Sequence, residues 1–279
     1  GSTLVYEGPG PGGSHQLWIR RWSELHATPL PGTERGVHPT FSPDGREIAY
    51  LDRGTRQSIH NRLMVIPADG GVPRVLHASI RGYAYWGRDG YVYFIDADTE
   101  GISRIAGRGG AVERLTERQQ GDGTPHFSPH LVTEGNALLF TVGIGATWHI
   151  RSVDLSTREV TPVAEGLRPH YTRSGHLVYL TPTGDITAAP FDARAMKPTG
   201  PGVPVIRGVR FNRFYSPLFI SENGTLVYGT TSSARRYQPV WLDRAGAVTE
   251  IDPGWGFDPG STPGLALSPD GTRLAVTIM

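Results

Sequence analysis

Residues 39–51 read Pro-Thr-Phe-Ser-Pro-Asp-Gly-Arg-Glu-Ile-Ala-Tyr-Leu. A short apolar entry ends at Phe41, a four-residue turn follows, and a second apolar run leaves it at Ile48. The turn is written in its residues: Pro43 pre-sets φ at the first central position, Asp44 suits the second, and Gly45 accepts the positive φ that closes it. The same arrangement returns in YAYWGRDGYVYFI (83–95), PHYTRSGHLVYL (169–180), PLFISENGTLVYG (217–229) and GLALSPDGTRLAVTI (264–278), with EGNALLFT (134–141) as a more divergent copy. The turn glycines, Gly45, Gly90, Gly135, Gly175, Gly224 and Gly271, are spaced by 45, 45, 40, 49 and 47 residues. One period before Gly45 stands Gly1, where GSTLVYEG resembles NGTLVYGT at 223–230.

Each period has the same interior. After the turn comes an alternating run such as Glu47 to Leu51 or Tyr91 to Ile95, then a variable loop, then a second run such as RLMVIPADG (62–70) or HIRSVDLST (149–157). A third short segment, such as PRVLHA (73–78) or VTPVAEG (160–166), leads to the next repeat. Period-two alternation, β-branched and aromatic enrichment and frequent turn residues all predict strands. Four strands per repeat of this length is the signature of a β-propeller. The expectation is an all-β chain forming one domain over 1–279, with six four-stranded blades or seven if the last is partial. Gly264 to Ser268 would supply the inner strand of the first blade, beside Leu4 and Tyr6. The run after Gly271 then duplicates the one after Gly1, so the chain reads as excised from a longer array.

Composition narrows the function. The formal charge is +1, which supplies no field for nucleic acid. The 37 glycines and 23 prolines exclude a helical bundle. The absence of cysteine excludes disulfides, thiolate metal sites and a cysteine nucleophile. No apolar run is long enough to cross a bilayer as a helix.

Catalytic motifs are missing as well. There is no G-x-S-x-G elbow, H-E-x-x-H pair or phosphate-binding G-x-x-x-x-G-K-[ST] loop. Asp96, Asp98 and Glu100 open like a calcium loop, but the twelfth position is Gly107 where a glutamate would be needed, so an inter-strand loop is expected there. His38, His126 and His170 precede inner strands of three repeats without sharing a register, and no metal or cofactor is expected. Arg210, Arg213 and Tyr215 interleave cations with aromatics, as a surface for a protein or a small anion would.

Residues 38–52 and 62–76 together resemble the repeat of TolB-type propellers, relatives of the WD-repeat class. QLWIRRWSELHATPLPGTE (16–34), PFDARAMKPTGPGVPVIRGV (190–209) and VWLDRAGAVTEI (240–251) resemble, in order, the TolB-like region that follows the kinase domain of many bacterial serine/threonine protein kinases. The resemblance implies an extracytoplasmic sensing or interaction module on a membrane-anchored kinase. No kinase motif stands in this sequence, so no ATP-binding or catalytic residue carries over and no enzymatic activity is expected. The alternative is the gating propeller of a prolyl oligopeptidase-type enzyme or another hydrolase, whose catalytic domain would be encoded elsewhere in the parent protein.

In an up-and-down blade, the loops between second and third strands and between blades share one face. Here those loops are long and dissimilar, whereas the turns of the opposite face are short and formulaic. The expected ligand or partner surface is the long-loop face, carried by His38, Tyr83, His126, His170, Arg210, Arg213 and Tyr215.

Overall fold

In the computed structural model the described residues are 3–21, 23–53 and 61–209, with strand segments at 218–220, 226–228, 240–242, 248–250, 265–267 and 274–276. They fall in two compact units, Gly1–Gly229 and Thr230–Met279. In the first, β1 (Thr3–Pro9), β2 (His15–Arg21) and β3 (Thr28–Pro29) make an antiparallel sheet. Next come β4 (Gly36–Phe41), β5 (Glu47–Asp52), β6 (Asn61–Pro67) and β7 (Arg74–Trp86). β7 continues into β8 (Tyr91–Asp96), β9 (Ile102–Ala106) and β10 (Glu113–Arg114), so these strands form one seven-stranded ladder.

β11 (Phe127–Val132), β12 (Ala137–Ile144), β13 (Thr147–Asp154) and β14 (Val160–Glu165) form a four-stranded sheet. β15 (Leu167–Thr172), β16 (His176–Leu180) and β17 (Ile186–Asp192) begin the last large one, with β18 (Lys197–Pro198) and β19 (Val203–Ile206) both paired to β17. β20 (Leu218–Ile220) pairs with β21 (Leu226–Tyr228). The second unit contains two hairpins, β22 (Val240–Leu242) with β23 (Val248–Glu250) and β24 (Leu265–Leu267) with β25 (Leu274–Val276). Gly264 and Ser268, at the ends of the expected seam strand, lie outside the described residues.

β7 departs from the expected two short strands. Its first half pairs with β6, Val65 opposite Arg74, and its second half with β8, Val92 opposite Trp86. The outer strand of one blade therefore runs directly into the inner strand of the next. The connecting Ser79-Ile80-Arg81-Gly82 contains no proline, and Gly82 turns the chain within the strand at φ 61°.

The core explains why the strands are apolar on both faces. In β5, Ile48 and Tyr50 pack with Leu17 and Ile19 of the first sheet, while Ala49 and Leu51 pack with Val92 and Phe94 of β8. The neighbours Tyr93 and Ile95 face the other way, onto Leu138 and Phe140 of β12. Leu139 turns from that cluster toward Leu177 and Phe191. Each sheet is thus the wall of two successive cores, the face-to-face stacking of blades that defines a β-propeller.

Candidate functional site

Among the described residues, four inner strands carry a bulge at the same place, with one extra residue in three of them and two in β7. The register slips between Val37 and Thr40, Arg81 and Ala84, Phe127 and His130, and Leu167 and His170. In each, the second residue of the slip is left-handed: His38 at φ 53°, Gly82 at 61°, Ser128 at 52° and Arg168 at 55°. Three of these are not glycine, in a region that L-residues rarely adopt. In three of the four the bulge re-aims a side chain at the end where the chain enters the inner strand.

The bulge residues and their neighbours meet across blades. His38 donates its backbone N–H to Glu7 Oε1 at 2.8 Å, and its Nδ1 lies 3.0 Å from the same oxygen. Burial would raise the Glu7 carboxyl, but the His38 hydrogen bonds and the His38 and Arg53 charges together hold it below its ordinary value. The His38 ring packs against Tyr83 at a tilt of 45° with centroids 4.1 Å apart. The Arg168 guanidinium lies over the opposite partner of that pair, its Cζ 5.0 Å from the Tyr83 ring centre. Arg168 Nε and Nη2 and Ser128 Oγ are buried and have no hydrogen-bond partner.

His126 has a different place. It stands in the crossover before β11, donates Nε2–H to Asp122 Oδ2 at 3.0 Å, and accepts from Thr116 Oγ1 at Nδ1, 2.8 Å away. Thr116 in turn accepts the Ile102 N–H at 2.8 Å. Burial lowers the His126 pKa more than Asp122 raises it, so the ring is neutral at pH 7. All three residues are buried. The relay resembles a nucleophile–histidine–carboxylate chain in its order, but its threonine and carboxylate are committed to backbone N–H groups, so it works as a clamp on the 116–126 crossover.

His170 meets a residue that the sequence reading left aside. His130 and His170 are the fourth members of their bulges, and their rings meet at a tilt of 42° with centroids 4.1 Å apart, with Tyr85 5.1 Å from His130. A cavity of about 490 Å³ opens beside them. It is bordered by the first turns of two blades, at Thr133–Glu134 and Arg173–Ser174, and so lies toward the short-turn end of the inner strands, opposite to His38. A second cavity of about 520 Å³ borders Thr116, His126 and Arg151. Arg210, Arg213 and Tyr215 lie outside the described residues.

The signal for His130 and Arg168 was in the sequence as a tetrapeptide. Val37-His38-Pro39-Thr40, Phe127-Ser128-Pro129-His130 and Leu167-Arg168-Pro169-His170 align on their prolines. Aligned so, His130 matches His170, and His38 matches Arg168. The carboxylates of the calcium-like loop are used by the chain itself. Asp96 Oδ1 accepts the N–H groups of Asp98 and Thr99 at 2.9 and 3.1 Å, and Glu100 pairs with Arg81 and Arg118.

No family model matches the sequence, and no curated protein matches it. Solved structures do. A protein described as a 6-phosphogluconolactonase from Bacteroides fragilis aligns over 98% of this chain and 86% of its own, with 13% identity and a TM-score of 0.53. A chain of the nidogen/laminin complex aligns over 74% of this chain and 78% of its own, at 12% identity and a TM-score of 0.53. At these identities the likeness concerns the propeller fold alone. A protein described as TolB from Agrobacterium tumefaciens aligns at 18% identity and a TM-score of 0.49, over 60% of this chain and 62% of the TolB chain. The match thus spans less than two thirds of that TolB.

Proposed function

We propose that this propeller is a non-enzymatic binding module, the extracytoplasmic sensing or interaction region of a membrane-anchored bacterial serine/threonine kinase. One observation carries the binding role. At a single repeated bulge, three blades present unlike side chains, His38, Ser128 and Arg168, on a like scaffold, and the fourth has Gly82 there. Two of them hold polar atoms that are buried without a partner. Buried donors left unmade cost about 1–3 kcal/mol each, and a partner that supplies acceptors to Arg168 removes that cost. The His126 relay supports a scaffold role, because its members bind one another and the backbone. The kinase connection rests on the three ordered segments at 16–34, 190–209 and 240–251.

The test is capture. The purified chain is immobilised and exposed to membrane and envelope extracts of its native organism, in parallel with an Arg210→Ala/Arg213→Ala/Tyr215→Ala variant and an Arg168→Ala variant. Retention of a defined partner by the parent chain, lost in either variant at unchanged melting temperature, is the expected outcome. Turnover of peptide, ester or glycoside substrates that disappears on changing one residue of this chain overturns the reading.

A further inference from the structure

The cavity beside His130 and His170 has a chemistry of its own. His130 Nε2 faces the Tyr171 carbonyl oxygen at 3.2 Å, so that nitrogen carries the proton and Nδ1 is left as a lone-pair acceptor. His170 makes no ring hydrogen bond to any described residue, and its nitrogens are not sealed from solvent. A neutral imidazole has one donor and one acceptor, so the pair offers two acceptors and one donor on one wall. Burial pushes His170 down to about 4 and His130 well below the ordinary histidine value, which leaves both rings uncharged at pH 7.

Val178 pairs with His170 across the strands and Ala188 with Val178, so together with Ile186 they form an aliphatic strip beside His170 on the same face of its sheet. Tyr85 and the two tilted imidazoles supply aromatic surface. Arg88 and Arg173 stand at the rim, and each is already engaged within the protein. A volume of about 490 Å³ is in the range of small-molecule sites.

These features exclude most ligand classes in turn. A purely apolar ring would leave the imidazole nitrogens unpaired. A charged ligand of either sign would meet both signs at the border, Glu134 against Arg88 and Arg173, while a carboxylate would also set its lone pairs against that of His130. What remains is a ring with an apolar face for the aliphatic strip and hydroxyls at its edge that both donate and accept. We infer that this cavity binds a neutral sugar ring, held edge-on by His130 and His170 and face-on by the aliphatic strip. The inference rests on the binding-module reading and names a ligand class for it, at a place separate from the long-loop surface.

The experiment uses the whole chain with ¹⁵N-labelled histidine. Glucose, galactose, N-acetylglucosamine and the disaccharides maltose and cellobiose are titrated while the ring nitrogens of His130 and His170 are followed by NMR. Galacturonate and inorganic phosphate are run beside them. At least one neutral sugar is expected to shift both imidazoles saturably, with a dissociation constant of about 1 mM. His170→Ala should weaken it about tenfold, the worth of one hydrogen bond. Ala188→Leu fills the aliphatic side, leaves both imidazoles in place and should abolish binding; it decides the matter if His170→Ala does not fold.

The assignment is overturned if no neutral sugar in the panel moves either ring, if galacturonate or phosphate binds more tightly than the neutral sugars, or if Ala188→Leu binds as the parent does. Partner capture that persists while the cavity stays empty removes the sugar assignment alone. Failure of both removes the binding-module reading with it.

Discussion

His126 donates Nε2–H to the carboxylate of Asp122 across 3.0 Å, in a place where each side chain keeps less than a twentieth of its surface exposed. The contact is a neutral histidine on a charged carboxylate. Burial would raise the Asp122 pKa, but the Gln119 N–H and the groups of His126 and Arg151 outweigh it and hold it low. Together with Thr116 the pair fastens the crossover that feeds β11.

Replacing His126 by alanine leaves Asp122 and the Thr116 hydroxyl buried with a lost partner each, for an expected cost of about 2–4 kcal/mol. Urea unfolding measures it. Thr116→Val strands the Ile102 N–H and His126 Nδ1 in turn and is expected to cost a similar amount. A double-mutant cycle between positions 116 and 126 should give a coupling of about 1 kcal/mol. Additive losses would show that the relay does not act as a unit.

Stability should fall as the solution is acidified below about pH 6.5. His126, His130 and His170 all have folded pKa values below that of the unfolded chain, 6.5, so the unfolded state takes up protons first. The contribution is complete above 6.5 and is lost progressively on descent, down to about 4 for His170. For that residue the gap corresponds to roughly 3 kcal/mol. Unfolding free energies at pH 7.5 and 5, compared between the parent and His170→Gln, should show a shallower slope in the variant.

The Glu7 carboxylate ties β1 to the bulge of β4 by two contacts to His38. Glu7→Ala is expected to cost about 1–2 kcal/mol, and Glu7→Gln less, because its amide oxygen still accepts the His38 N–H. The depressed Glu7 pKa adds stability above the ordinary carboxylate range and loses it as pH falls through the folded value. Glu7→Gln should therefore be less acid-sensitive than the parent.

Position 82 tests the bulges. A Cβ on Gly82 would stand 2.9 Å from Ile95 Cδ1, at φ 61°. Gly82→Ala is expected to cost about 1–2 kcal/mol in thermal unfolding. Ser128→Gly, at φ 52° in the equivalent bulge, should be neutral or stabilising by up to about 1 kcal/mol. Equal effects of the two changes would show that the left-handed conformation is not imposed at both positions.

The repeat was readable in the chain because its causes are local. Ser42-Pro43-Asp44-Gly45 folds as a turn from its own torsional preferences, with Gly45 at φ 72° and Asp44 accepting from the Arg46 N–H at 3.1 Å. The run Ile48 to Leu51, following that turn and recurring with it, reads as a strand buried on both faces, and its alternate side chains fall in two cores. The pairing of His130 with His170 and the placing of Arg168 over Tyr83 are of another kind. Each joins residues of different blades, and each depends on a one-residue slip that turns a side chain to the other side of its strand. Such a slip is set by how neighbouring sheets stack, a balance of burial and hydrogen bonding over residues 40 or more positions apart. Local sequence names the strands; only the packed blades decide which side chains share a site.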